Sequence, residues 1–243
     1  MRIAVLDDDL DQLELVKCAL AAIGHDAHVF ADGQSLLRVL RRETFDMLIV
    51  DWQLPDISGP EVVTWARKNL DYPLPILFVT SRSEERDVVE GLAAGADDFM
   101  SKPTRVGELI ARVRAVLRRA YPTRQPGVLR FGRYLVNTFE HRIEVDGVWV
   151  ELKVKEYELA KFFFLNIGRL LSREHLQEAI WGVHAETSSR TLDTHVSRLR
   201  SRLALRPDNG YRLTAIYSLG YRLEAVGASS GHEGALAEVG ARA

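Results

Sequence analysis

Along the first half of the chain, short unbroken apolar runs alternate with stretches whose apolar residues recur every three or four positions. The runs at 3–8 (IAVLDD), 46–51 (DMLIVD) and 76–80 (ILFVT) lack the polar alternation of a half-exposed strand. They fit parallel strands covered on both faces, and each ends in polar groups. Leu13, Val16, Leu20 and Ile23 fall at helical spacing and stop at Gly24, residues 36–40 read as a second helix, and 61–68 as a third with Pro60 in its first turn. Val88, Leu92 and the turn GADD (95–98) close a fourth helix, FMSKP (99–103) is a short fifth strand, and 106–119 is a basic amphipathic last helix. The pattern predicts five βα units, an α/β domain with a five-stranded, parallel, doubly wound sheet over residues 1–119.

The segment RAYPTRQPGV (119–128) holds two prolines and a glycine without periodicity, so residues 120–127 are expected to form a linker. Beyond it the period changes from helical to two. In LRFGRYLVNTFEHRIEVDGVWVEL (129–152), Asp146-Gly147 reads as a hairpin turn between strands at 142–145 and 148–150. Helical stretches follow at 155–166, 172–181 and 189–205, the second opened by Ser172 as N-cap, and a hairpin spans 211–225. These place a second, α+β domain at 128–225. Residues 226–243 are small, polar and aperiodic and are expected to be a disordered tail.

Composition narrows the class. In 243 residues, 47% are hydrophobic and 27% charged, which is a folded chain long enough for two cores. No apolar run approaches the roughly 18 residues of a membrane helix, and MRIAVLDDDL has neither the basic start nor the apolar stretch of a signal peptide, so a cytoplasmic protein is expected. The single cysteine, Cys18, has no internal disulfide partner and reads as a small buried hydrophobe on a helix. The net charge of -2 averages unlike halves. Residues 1–119 hold 15 Lys and Arg against 20 Asp and Glu, whereas 128–225 hold 15 against 12, the balance a phosphate-binding second domain would show.

In an open α/β sheet, ligands sit beyond the carboxyl ends of the strands. There the first strand ends in Asp7 and Asp8, the third in Asp51, the fourth in Thr80 and the fifth in Lys102. Carboxylates gathered on one rim repel, and a hard divalent cation such as Mg2+ together with Lys102 would neutralise them. Asp51 is then a candidate nucleophile that becomes an acyl phosphate, with Thr80 and Lys102 binding its oxygens. Helix and loop capping explains any one of these carboxylates, but it calls for neither a threonine nor a lysine at the remaining strand ends.

These motifs resemble the two-component response regulators of the OmpR/PhoB type, through Asp7-Asp8, Asp51 in VDWQLPDISG, Thr80 in VTS and Lys102 in SKP. The resemblance implies phosphoryl transfer from a histidine kinase to Asp51, Mg2+ served by Asp7, Asp8, Asp51 and the main-chain carbonyl of Gln53, and a cis Lys102-Pro103 peptide. It implies that Thr80 and Phe99 act as a switch, with Phe99 where tyrosine is frequent. It further implies a homodimer through the fourth helix, fifth strand and fifth helix, where Asp97, Asp98, Glu108 and Arg112 match the usual charges while Val88 and Thr104 depart. Gln53 and Arg82 match positions that flank the attacking water. RNA polymerase is the further partner implied; a membrane partner is not.

The last long helix, SSRTLDTHVSRLRSRL (188–203), carries a core stripe of Leu192, Val196, Leu199 and Leu203. Arg190, His195, Arg198 and Arg202 lie away from that stripe, where a major groove can receive them. Together with ELKVKEYELA, LSREHLQEAIWG and LGYRLE it resembles the family's winged helix-turn-helix, which binds double-stranded DNA. By that match Arg198 is the expected base reader, with Arg190, His195 and Arg200 nearer phosphates, Tyr211 and Arg212 as backbone contacts, and Tyr217 at a wing tip that lacks the usual arginine.

The expected function is a phosphorylation-controlled transcriptional regulator rather than an enzyme with turnover. Two alternatives stand beside it. One is an aspartyl phosphatase, which would need a second carboxylate two residues after the nucleophile, where this chain has Gln53. The other is a receiver-like transcription factor that acts without phosphorylation.

Overall fold

The structure, a computed structural model, describes residues 1–82, 84–121, 127–182 and 189–226. Five strands, β1 (Arg2–Leu6), β2 (Asp26–Phe30), β3 (Met47–Val50), β4 (Ile76–Thr80) and β5 (Asp98–Ser101), lie parallel in the order β2-β1-β3-β4-β5. The three central strands are buried along their whole length, which is why their sequences are apolar without alternation. Helices α1 (Leu10–Ala21) and α5 (Val106–Ala120) close one face over Ile3, Val5, Ile49 and Val79. Helices α2 (Gly33–Leu40) and α3 (Gly59–Asn69) close the other over Ala4, Leu6, Leu48 and Phe78. The crossover helix α4 (Glu85–Ala93) leads into β5. The doubly wound lobe is as expected from the pattern. Its edge strand β2, half exposed, left too weak an apolar signal to be singled out.

Caps explain where helices begin. Asp9 accepts from the N–H groups of Asp11 and Gln12 at the start of α1, and Asp32 from that of Ser35 in α2. At α3, Pro60 lies in the first turn, as the sequence suggests, and Glu61 accepts the Ser58 N–H (3.0 Å) and hydroxyl (2.6 Å). One expectation fails: Cys18 is exposed on α1, its thiol 3.5 Å from Glu14 Oε1. Its place on the helix lies outside the stripe formed by Leu13, Val16 and Leu20, so no apolar neighbour covers it.

The second lobe opens with an antiparallel sheet of β6 (Val128–Phe131), β7 (Tyr134–Asn137), β8 (Arg142–Val145) and β9 (Val148–Val150). Asp146 and Gly147 join β8 to β9 with φ of 52° and 78°, the signs of a type I′ turn. Next come α6 (Val154–Leu165), β10 (Leu171–Ser172), α7 (Arg173–Trp181), α8 (Ser189–Arg202), β11 (Tyr211–Ile216) and β12 (Gly220–Ala225). Leu192, Val196, Leu199 and Leu203 of the expected stripe are all buried in one core with Phe163, Leu176 and Leu223. The two-residue strand β10, which the sequence pattern does not reveal, adds to β12 as a third strand.

Helix α5 continues to Ala120, and the Tyr121 hydroxyl donates to Asp46 O (3.0 Å), so the start of the expected linker packs with the first lobe. The rest of that segment, residues 122–126, lies outside the described residues, as do 227–243 of the expected tail.

The lobes meet at the amino-terminal ends of the parallel strands. Arg169 inserts between the rings of Tyr72 and Tyr121 and donates to Asp46 Oδ1 (2.9 Å) and Phe45 O (2.6 Å). Thr44 and Ser172 exchange backbone-to-hydroxyl hydrogen bonds, and His175 Nδ1 lies 2.9 Å from Thr44 Oγ1. Arg2 meets Glu178 at 2.9 Å, and Arg222 pairs with Asp71.

Candidate functional site

At the opposite rim, the carboxyl ends of β1 and β3 lie side by side where the strand order reverses. Asp7 and Asp51 are buried there, and Lys102 Nζ, arriving from β5, lies 2.8 Å from an oxygen of each. Asp8 is exposed but brings a carboxylate oxygen within 4.8 Å of ligand atoms on Asp7 and Asp51. One Asp51 oxygen accepts the Trp52 N–H, leaving Lys102 on the other. Burial tends to strip Lys102 of its proton, but the hydrogen bonds and charges of Asp51 and Asp7 outweigh it and raise its pKa. Burial pushes the Asp7 carboxyl above its usual value despite Lys102. One ammonium therefore pairs with two of the three carboxylates, and the donor set is all oxygen, a fit for a small hard cation.

Thr80 is wholly buried at the end of β4, accepts from Arg82 N–H (3.3 Å) and shares the β4–β5 ladder, where Lys102 N–H donates to Thr80 O (2.7 Å). Gln53 is exposed, and Lys102-Pro103 is cis. Three aromatic rings lead away from Asp51. Trp52 packs on Phe78 with centroids 5.2 Å apart, and Phe78 on half-buried Phe99 at 6.4 Å. Arg82 covers Trp52 and pairs with Asp87 at 3.3 Å. The neighbouring face of α4, β5 and α5 holds an internal network in which Arg112 binds Asp98 (3.0 Å) and Glu108 (2.8 Å) beside a cleft lined by Val88, Leu92 and Phe99. Asp97 is not part of it; it accepts from Arg67 and Ile76 N–H, and Thr104 bonds Gln12 instead.

The candidate nucleic-acid face is α8 with the β11–β12 hairpin. Arg190 and Arg198 are exposed, and Tyr217 at the hairpin tip is 94% exposed. The other expected contacts are differently engaged. Arg200 donates to Leu213 O (2.7 Å) beneath the Tyr221 ring, Arg202 donates to Glu151 O, and Arg212 pairs with Glu224 at 3.1 Å. Tyr211 packs its ring on Tyr134 and Phe164, and His195 is mostly buried against Trp181. Sequence reasoning missed Glu156, a wholly buried carboxylate under the middle of α8. It lies three residues after the N-cap of α6, and no periodicity or motif in the sequence points to its neighbours on α8.

An acidic doubly wound lobe carried on one chain with a winged helix defines a class of protein, the DNA-binding response regulators. Comparison with known proteins agrees. Residues 3–114 match the response regulator receiver domain, and residues 147–223 match the C-terminal domain of transcriptional regulatory proteins. The sensory transduction protein RegX3 of Mycolicibacterium smegmatis is 35% identical over 91% of this chain and 98% of its own length. The phosphate regulon transcriptional regulatory protein PhoB of Rhizobium meliloti is 37% identical over 83% of this chain and 89% of its own. Among solved structures, the response regulator DrrB of Thermotoga maritima covers 93% of this chain and 98% of its own at 29% identity, with a TM-score of 0.45. The chain belongs to the OmpR/PhoB family of two-component response regulators. It is a phosphorylation-controlled, DNA-binding regulator of transcription.

Proposed function

We propose that Asp51 is the phosphoryl acceptor and that the α8 face, led by Arg198, reads double-stranded DNA. The observation that carries the first part is the joint grip of Lys102 on Asp51 and Asp7, with Asp8 beside them, at the crevice of the sheet. An Asp51 oxygen attacks phosphorus on the histidine kinase's phosphohistidine; the P–O bond forms as the P–N bond breaks, and the imidazole leaves with a proton. Asp7, Asp8, Asp51 and the Gln53 carbonyl would hold Mg2+, which supplies positive charge to the transferring phosphoryl group. Lys102 and the Thr80 hydroxyl then bind the phosphoryl oxygens, and the turn of Thr80 is transmitted to Phe99 through the packed strand end. The chain is in this reading a switch carrying one phosphoryl group, not an enzyme that turns over free substrates.

The α4–β5–α5 face is proposed as the homodimer surface. Its support is position: the interlobe contacts among the described residues lie at the amino ends of the strands and involve neither Phe99 nor Arg112 nor the exposed arginines of α8. DNA and, through transcription, RNA polymerase are partners found in the cytoplasm, where we place the protein; among the described residues no helix is long and apolar enough to cross a membrane.

Incubation of the full chain with acetyl phosphate and Mg2+ tests the acceptor. A gain of one phosphoryl mass that disappears in Asp51→Ala is expected. No gain with the wild type would favour regulation without phosphorylation, and rapid release of phosphate from many substrates would favour a phosphatase.

A further inference from the structure

Glu156 is wholly buried, yet one of its oxygens has no hydrogen-bond partner among the described residues. One of its oxygens accepts the Lys153 N–H at 3.0 Å, completing the first turn of α6. The other, Oε1, is buried and has no hydrogen-bond partner among the described residues. Two basic side chains of α8 face that oxygen, with Arg198 Nη1 at 3.7 Å and His195 Nδ1 at 4.0 Å. His195 Nδ1 is itself buried and unpartnered. A carboxylate removed from water is costly unless a cation answers it, and in this state only the half-exposed Arg198 does so. Yet Arg198 is also exposed on the face proposed to meet DNA, and one guanidinium cannot serve both places.

We propose that Glu156, Arg198 and His195 form a proton-coupled exchange of counterions beneath the recognition helix: as Arg198 turns outward to DNA, His195 takes a proton from solvent and replaces it as the partner of Glu156. The inference rests on the reading that Arg198 meets DNA. It makes His195 an internal positioning residue rather than a phosphate contact, in keeping with a side chain only 15% exposed and packed at a tilt against Trp181.

The charges around the imidazole set the sign. From α6 it faces Glu156, which favours the proton, and Lys153, which opposes it; from α8 itself Arg198 opposes it; and α7 presents the neutral ring of Trp181. With Arg198 in place, burial foremost and the two cations hold the His195 pKa below the usual histidine value. Departure of Arg198 removes one opposing charge and leaves the Glu156 carboxylate unanswered, so the value rises in the complex. DNA binding then takes up a proton between the two values, and affinity rises as pH falls through that window, by up to about tenfold per unit for a single linked proton.

The test uses the full chain and a duplex that the chain itself enriches from a random-sequence pool, with anisotropy titrations from pH 5.5 to 8 at fixed salt. The wild type is expected to bind more tightly toward low pH, and Glu156→Gln to lose that slope; glutamine can still accept the Lys153 N–H, so the cap is retained. The readout is the slope and not the affinity at any one pH. A slope kept in Glu156→Gln would mean that His195 titrates against phosphate directly, and a flat wild-type profile would mean that no proton is taken up; either overturns the exchange. NMR titration of the His195 ring in the wild-type chain gives the same answer without a variant, since its pKa must rise on adding the duplex. The underlying DNA reading fails separately, if no sequence is enriched or if Arg198→Ala binds like the wild type.

Discussion

Gly59 passes so close beneath Asp51 that an added Cβ would lie 2.3 Å from the Asp51 carbonyl oxygen and 2.9 Å from Trp52 Cα. Its N–H also donates to Trp52 O at 2.8 Å, which folds the loop after Asp51 back onto α3. These neighbours are backbone and cannot swing aside. Gly59→Ala is therefore expected to destabilise the protein by about 1–3 kcal/mol in urea unfolding and to slow labelling of Asp51, the proposed acceptor, by acetyl phosphate, because the displaced atoms belong to the main chain of Asp51 and Trp52. A variant as stable and as reactive as wild type would show that the loop is free to move. At this scale, Asp7, Asp8, Asp51 and Lys102 were legible because each lies within two residues of the end of a short strand, and a strand end has one destination in a parallel sheet. Glu156, Gly59 and the exposure of Cys18 were not, since they depend on which neighbour another element supplies.

Elements with a strong local signal were equally legible. Asp146-Gly147 announces its turn because both residues accept positive φ, and the stripe of α8 repeats at helical spacing over four buried residues. The weak elements, β2 and β10, exist by pairing: β2 borrows its ladder from β1 along its full length, and β10 pairs two residues with β12. The hairpin of β11 and β12 ends in Tyr217 and Ser218, the latter at φ of 54°. Tyr217 touches nothing that holds the hairpin together. Tyr217→Ala should thus leave stability within about 0.5 kcal/mol while lowering affinity for the cognate duplex. Calorimetry and anisotropy measured together decide it, and unchanged affinity would remove the wing tip from the DNA face.

Between the lobes lies one carboxylate that is almost wholly buried. Asp46 receives Arg2 N–H (2.8 Å) and Arg169, with His175 Nε2 3.5 Å away. Burial acts to keep its proton on, but His175, Arg169 and the Arg2 N–H overcome that and hold the carboxyl well below the usual range. A folded-state pKa below the unfolded value of about 3.9 stabilises the folded state above that value, and the contribution is lost as pH falls through the folded one. Asp46→Ala should then cost about 3–5 kcal/mol at pH 7, less to the extent that the lobes separate and return Arg169 to water. Urea unfolding from pH 7 to 3 is expected to show the gap to wild type constant down to about pH 5 and narrowing below about pH 4. A gap that widened on acidification would contradict the assignment, and small-angle scattering at pH 7 would report the opening itself.

The order of strands and helices, the gathering of acidic residues and lysine on one rim, and the basic helix with its core stripe were determined by the chain's own periodicity and by the residues at strand ends. Such features are local: a period of two or 3.6 and a polar residue after an apolar run carry their meaning within a few positions. Tertiary structure alone decided that Arg169, 123 residues from Asp46, fills the space between Tyr72 and Tyr121, and that a capping glutamate of α6 lies under Arg198 and His195. Contacts of that kind join residues with no sequence relation, and burial, which sets their strength, exists only once the elements have packed.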